Sequence, residues 1–330
     1  MTYTTGQLIQ AADFNNFVGN GVSGPNLNAT WSTAYGQSAV GTVSQGAVVT
    51  AALWASLNND LTTVGAHQGT GLTSRTSPQV GNTISVLQNL GTDIANCSAN
   101  VYSAASAGSQ VVNWTGTASQ TGPTGNLQGA WNIVFTDTVT FANATAASWF
   151  FNSGGVVKVQ FHKSSTGTSA DPEWNNFVNT YCGSVYLTAN ASAKTINNVS
   201  YPQGTNTIGG TGTPTYPVQA GFAQLSSSPT TIWKQNDSTY NYTGDYVQIQ
   251  ASTASGVLTL TTTWYSAARA TGQPNRNISG GVAATPGTLT LGTAPTTIVT
   301  YIPPDTTLSN FANTWGGITV ASSVSSTPYA

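Results

Sequence analysis

The stretch VQIQASTASGVLTLTTTWYSAA, residues 247–268, alternates apolar and polar side chains twice over. Val247, Ile249 and Ala251 point one way and Gln248 and Gln250 the other; further on, Leu258, Leu260 and Trp264 are interleaved with Thr259, Thr261 and Thr263. A period of two marks a strand with one face on a core and one in solvent, so both runs read as half-buried antiparallel sheet. The pattern recurs at Val157, Val159 and Phe161 against Lys158, Gln160 and His162. Between such runs the chain is punctuated by Gly122-Pro123, Gly154-Gly155, Gly209-Gly210, Gly280-Gly281 and Pro303-Pro304, which mark turns. Residues 107–330 therefore read as an antiparallel β-sandwich-like domain.

Two helices interrupt this domain. NATAASWFFNSGG, residues 143–155, has Asn143 as a cap and a glycine stop. DPEWNNFVNTYC, residues 171–182, has Asp171 at the N-cap and Pro172 at the first helical position, with Trp174, Phe177, Val178 and Tyr181 along one face.

Residues 1–106 have a helical character. GQLIQAADFNNFV, residues 6–18, is echoed by GAVVTAALWASLN, residues 46–58. In the first copy Phe14, Phe17 and Val18 fall at i, i+3 and i+4 before Gly19 and Gly21; in the second, Leu53, Leu57, Leu61 and Val64 share a face beside Trp54, with Thr50 as N-cap. Helices this short are marginal alone, so they must dock on something. From Val80 to Val101 the residues Val80, Ile84, Leu87, Leu90, Ile94, Cys97 and Val101 step by threes and fours. That spacing suits either an amphipathic helix on its own domain or the seam of a parallel bundle between identical chains. The region reads as a docking and oligomerisation region, with Phe14, Phe17, Trp54, Leu57, Ile84, Leu87 and Ile94 as its anchors. The fold class expected for the whole chain is α+β, mainly β.

Composition narrows the function. Only 5% of the 330 residues are charged and the formal net charge is −2, against about 25% charged residues in an ordinary domain. Aromatic content of 10%, with nine Trp, argues for a folded chain. Apolar runs are far shorter than the roughly 20 residues a membrane helix needs. Seven Lys and Arg spread along the chain leave no basic patch for nucleic acid. Cys97 and Cys182 are expected as free buried thiols. The opening MTYTTGQLIQ carries no signal-peptide pattern.

Chemistry-bearing residues are sparse, with nine carboxylates and two histidines. His67, in GAHQGTG, and His162, facing out of a strand, read as turn and surface residues. Asp171 and Glu173 form a close carboxylate pair, as a glycosidase needs, yet the same pair suits a helix start. Asp237 and Asp245 sit in turn-like text, where Asp bonds its own backbone. The tyrosines of YNYTGDY (Tyr240, Tyr242 and Tyr246) are candidates for glycan contact. No catalytic residue, metal site or cofactor is expected.

Three phrases, GQLIQAADFNNFVG (6–19), AASWFFNSGGVVKVQF (146–161) and TLTTTWYSAA (259–268) with the later IPP (302–304), together resemble virion structural proteins of tailed phages. The likeness is to the tail or tail-fibre-like proteins of cyanophages and other marine phages. Tyr35-Gly36-Gln37 and His67-Gln68-Gly69 stand where that family has short YGQ or GHQ linkers. The resemblance implies a repeated, non-enzymatic subunit of the particle, homotrimeric or higher, contacting other virion proteins in a tail, collar, baseplate or fibre. It would be located in the virion, and in the host cytoplasm during assembly. The alternative is a receptor- or glycan-binding adhesin module.

Overall fold

The computed structural model describes residues 11–19, 24–76, 89–103, 115–121, 125–128, 131–164, 171–190, 194–196, 199–201, 207–208, 210–214, 220–237, 244–266, 275–276, 282–283, 288–291, 295–304 and 311–327. The fold is mixed α+β, with antiparallel sheets and several helices. It divides into two compact units. The first comprises Met1–Val111, Ser148–Gly155 and Pro304–Gly316; the second Val112–Ala147, Val156–Pro303 and Gly317–Ala330. The first unit thus takes in two segments from later in the chain.

The first unit is built on the repeated phrase. Its helices are α1 (Ala11–Val18), α2 (Ala51–Gln68) and α3 (Leu90–Ala99), with a π-helical turn at Ala29–Ala34. Thr50 is extended, and its hydroxyl accepts from Leu53 N at 3.3 Å, which caps α2. Gly69 ends α2 at φ +69°, with Gly69 N and Thr70 N bonding back to the Ala66 and Gly65 carbonyls. The buried side of α2 is Trp54, Leu57, Leu61 and Val64. Phe14 of α1 meets Trp54 edge-on at 5.0 Å, and Leu90, Ile94 and Cys97 of α3 join the same core. The two copies of the phrase therefore supply each other's packing partner within one chain.

Side-chain amides hold this core's irregular segments. Asn15 Nδ2 donates to Val43 O at 2.8 Å while Asn15 Oδ1 accepts from Val43 N at 2.9 Å. Asn28 does the same to Val40, at 3.0 and 2.9 Å. Each amide offers the donor and acceptor that a neighbouring strand would offer, so Val40 and Val43 are paired without a strand beside them.

The second unit contains β1 (Thr115–Thr121), β2 (Trp131–Thr140), β3 (Val156–His162), β4 (Ser184–Leu187), β5 (Thr207–Ile208), β6 (Thr230–Asn236), β7 (Tyr246–Ala254), β8 (Val257–Ser266), β9 (Thr296–Ile302) and β10 (Thr319–Thr327). They form two antiparallel sheets, β1-β9-β3-β4-β5 and β10-β2-β8-β7-β6. β7 and β8 are joined by Ser255 at φ +51° and Gly256 at φ +85°, the left-handed pair a two-residue hairpin requires. A Cβ on Gly256 would come within 2.5 Å of the Asn143 backbone, so two independent constraints select glycine there.

The alternation of β7 and β8 is as the sequence predicts: Val247, Ile249, Ala251, Leu258, Leu260 and Trp264 are buried. Aromatic rings from the two sheets meet. Phe161 of β3 stacks on Trp233 of β6 at 5.4 Å, and Trp264 of β8 lies 6.3 Å from Phe161. Trp174 stacks on Trp264 at 5.8 Å. It comes from α5 (Asp171–Asn176), which widens into a π-helical turn at Phe177–Cys182. The wider turn rotates the face, so Phe177 and Val178 are buried while Tyr181 is only half-buried. The expected helix near 143–155 is α4 (Ala144–Asn152), capped by Asn143 Oδ1 on Ala146 N at 2.9 Å.

Two substitutions test this account. Asn28→Asp keeps the shape but loses the donor to Val40 O, so it should cost about 1–3 kcal/mol, read from denaturant unfolding. Gly256→Ala should cost at least about 1 kcal/mol, with Ser255→Gly shifting the midpoint the opposite way.

Candidate functional site

Tyr35-Gly36-Gln37 and His67-Gln68-Gly69 converge in the first unit. The π-helical turn ends at Tyr35, and Gly36 has φ +72°. A side chain on Gly36 would collide with Trp149 and Thr314 at 2.5–2.6 Å. Tyr35 is fully buried; its hydroxyl donates to Val101 O at 3.0 Å and accepts from Gln68 Nε2 at 2.8 Å. Gln68 Nε2 also donates to Cys97 O at 2.9 Å, and Gln68 Oε1 accepts from the Thr70 hydroxyl at 3.0 Å. Phe311 stacks on Tyr35 at 4.5 Å and lies 4.4 Å from the His67 ring. Gln37 clamps Ala312 in the same manner as the two asparagines, at 3.2 and 3.1 Å.

His67 is only 2% exposed. This corrects the reading of it as a loop residue: it lies in the last turn of α2, whose buried side continues to the helix end. Its Nε2 faces Asn152 O at 3.3 Å and its Nδ1 has no partner, so the proton sits on Nε2. Burial pushes its pKa down to about 4. Burial also raises the Tyr35 phenol above its usual range and pushes the Cys97 thiol up to about 12, with Asp93 adding to the latter. All three groups are driven toward their neutral forms. The node can fix side chains in place, but it has no proton to exchange near neutral pH.

Beside it, the Arg75 guanidinium pairs with the buried Asp93 carboxylate and donates to Thr73 O at 3.2 Å. Thr73 N donates to the same carboxylate at 3.0 Å. This pair fastens the segment after α2 to α3, and no local sequence pattern marks it.

Of the expected anchors, Phe14, Trp54, Leu57 and Ile94 are 0–2% exposed in the chain's own core, and Phe17 is half-buried against it. The rings of Phe14 and Phe17 both meet Trp54. Ile84 and Leu87 lie outside the described residues, as do Tyr240 and Tyr242. Tyr246 is described: the Lys234 ammonium sits 3.9 Å from its ring centroid and Tyr265 stacks on it at 4.8 Å. With Lys234 and Tyr265 against its ring, Tyr246 presents its edge and hydroxyl, not a platform for a sugar. His162 is exposed. Cys97 and Cys182 are free and buried, one in each unit. Among the described residues there is no group of three or more His, Cys, Asp or Glu placed to hold a metal, and no helix is long and apolar enough to cross a membrane.

Comparison with protein-family models, with curated proteins and with solved structures finds no match for this chain.

Because His67 takes a proton only below about pH 4 when folded and near 6.5 when unfolded, its contribution is full above pH 6.5 and declines as pH falls to 4. The loss amounts to about 3 kcal/mol. Asp60, whose carboxyl burial raises to about 6, acts with the opposite sign. The comparison with His67→Gln therefore isolates the histidine: the variant's unfolding midpoint should fall less steeply between pH 6.5 and 4 than that of the unsubstituted chain.

Proposed function

We propose that this chain is a non-catalytic structural subunit of a tailed-phage virion, belonging to a tail, collar, baseplate or fibre. It acts by homo-oligomerisation, as a trimer or higher, and by docking to other virion proteins. The observation that supports this best is the way the polar groups are used. Asn15, Asn28 and Gln37 are committed to backbone clamps, and the ionisable members of the Tyr35–His67 node are driven neutral by burial. Such an interior serves rigidity. The uncharged Thr, Ser, Asn and Gln surface offers little electrostatic repulsion to close packing of identical copies.

On this reading the second unit is a mainly β, sandwich-like body and the first unit carries the docking function. With Phe14, Trp54, Leu57 and Ile94 occupied inside the chain, subunit contacts fall on other surfaces. Nucleic acid and membrane insertion have no part in it, and no cofactor is needed. The reading places the protein in the virion, and in the host cytoplasm during assembly.

The alternative, a receptor- or glycan-binding adhesin module, would rest on Tyr240 and Tyr242, which lie outside the described residues, because the Tyr246 ring is taken up by Lys234 and Tyr265. Native mass in dilute buffer tests the proposal. A stable multiple of 33.9 kDa, three or higher, is the expected result. A monomer from nanomolar to tens-of-micromolar concentration overturns the homo-oligomeric subunit.

A further inference from the structure

The central strand β2 breaks its own pattern. Its core-facing residues are Ile133, Phe135, Asp137 and Val139, all at most 1% exposed. A carboxyl thus stands where the alternation calls for an apolar side chain. Asp137 pairs with Leu260 on β8 and with Ser322 on β10. The Ser322 hydroxyl donates to Asp137 Oδ1, while Asp137 Oδ2 has no hydrogen-bond partner. Among the described residues, the strands packed around it bring no compensating charge. β1, β8, β9 and β10 contain no Asp, Glu, His, Lys or Arg, and their titratable side chains are Tyr265 and Tyr301. Tyr265 lies on the opposite face of its sheet, and Lys158 on the outer face of β3 against Tyr186.

The strand that supplies the single donor lies at the edge of its sheet and also packs against β1. β10 is an edge strand that pairs with β2 over nine residues. Val320, Ser322 and Val324 are only half-buried, and Thr319, Ala321, Ser323 and Ser325 are exposed. The chain passes from the first unit to the second between Gly316 and Gly317, just before β10. Gly316 has φ +71°, and a Cβ built on either glycine meets nothing within 4 Å. The strand follows two unencumbered glycines, has few apolar anchors and is hydrogen-bonded along one edge only. Its specificity comes from the serine that must lie opposite Asp137.

We propose that β10 is an exchangeable strand: the edge of β2, keyed by Asp137, accepts residues 319–327 of its own chain or of a second copy. This rests on the homo-oligomeric reading above and names the contact it uses. Exchange follows from geometry, because the same nine-residue ladder and the same Asp137–Ser322 bond form whichever chain supplies the strand. Ionisation of Asp137 promotes it. Burial raises this carboxyl to about 7, so β10 is held most firmly at low pH. Its hold weakens as pH rises through 7, because a buried carboxylate with the Ser322 hydroxyl as its one side-chain donor is better solvated once β10 opens.

The test uses the full chain with Thr136→Cys and Ser323→Cys, positions paired on the solvent side of β2 and β10. Cys97 and Cys182 are buried and stay out of the reaction. After incubation at pH 8.5 and oxidation, covalent dimers and higher species should appear on a non-reducing gel, with fewer when the incubation is at pH 6. A native-mass oligomer that gives only intrachain disulfide refutes strand exchange and leaves the oligomeric reading standing. A monomer giving only intrachain disulfide refutes both. If the double variant does not fold, hydrogen exchange on the unsubstituted chain decides. Corrected for intrinsic rates, β10 amides should open roughly tenfold more often at pH 8.5 than at pH 6, and Asp137→Asn should remove that dependence. Protection of β10 equal to that of β8 at both pH values overturns the proposal.

Discussion

The constraint on which the structure depends is that backbone polar groups must be satisfied by a chain with almost no charge. An ordinary domain ties its loops with ion pairs as well as amides; here Arg75–Asp93 is the salt bridge among the described residues. The amide side chains take over that work. Asn15 with Val43, Asn28 with Val40, Gln37 with Ala312 and Asn179 with Lys163 each engage both the N–H and the C=O of one residue. A primary amide carries the donor and acceptor of a peptide group, so it completes a backbone that lacks a neighbouring strand. The high Asn and Gln content therefore has a structural use beyond solubility.

The same economy of charge governs the interior. Buried ionisable groups are costly as ions, and in the absence of partners each shifts toward its uncharged form. His67, Tyr35 and Cys97 in one unit and Asp137 in the other obey this rule. The consequences differ. Around Tyr35 the neutral groups are enclosed by α2, α3 and the Phe311 ring, so the node is a rigid lock. Asp137 lies on the strand next to the sheet's edge, with Ser322 of the edge strand as its side-chain donor, so its surroundings depend on that strand staying in place.

Much of this was legible in the sequence, and the exceptions have physical causes. Periodicity located α2, β7 and β8 because burial of one face leaves its mark on every second or every third and fourth residue, and an asparagine cap with a glycine stop located α4. It failed at Asp137, Thr262 and His67, which occupy buried positions of an alternating strand or helix face while having polar side chains. Pattern reading assigns such residues to solvent. Periodicity marked Phe14, Trp54, Leu57 and Ile94 as residues that must be covered, but not by what: nothing local says whether Phe14 packs on Trp54 of its own chain or on another subunit.

The amino-acid sequence by itself determined the elements: which segments alternate, where Thr50 and Asn143 cap helices, and where Gly69 and Gly256 must take left-handed backbone. These are local choices, set by propensity, capping and allowed φ, and they need no distant contact. Only the tertiary structure decided which distant groups meet. The two copies of the repeated phrase came to share one core, Gln37 reached Ala312 across 275 residues, and Ser322 was set against Asp137 across 185. Such pairings depend on chain topology and on the packing of side chains into a fixed volume, and no short stretch of sequence encodes either.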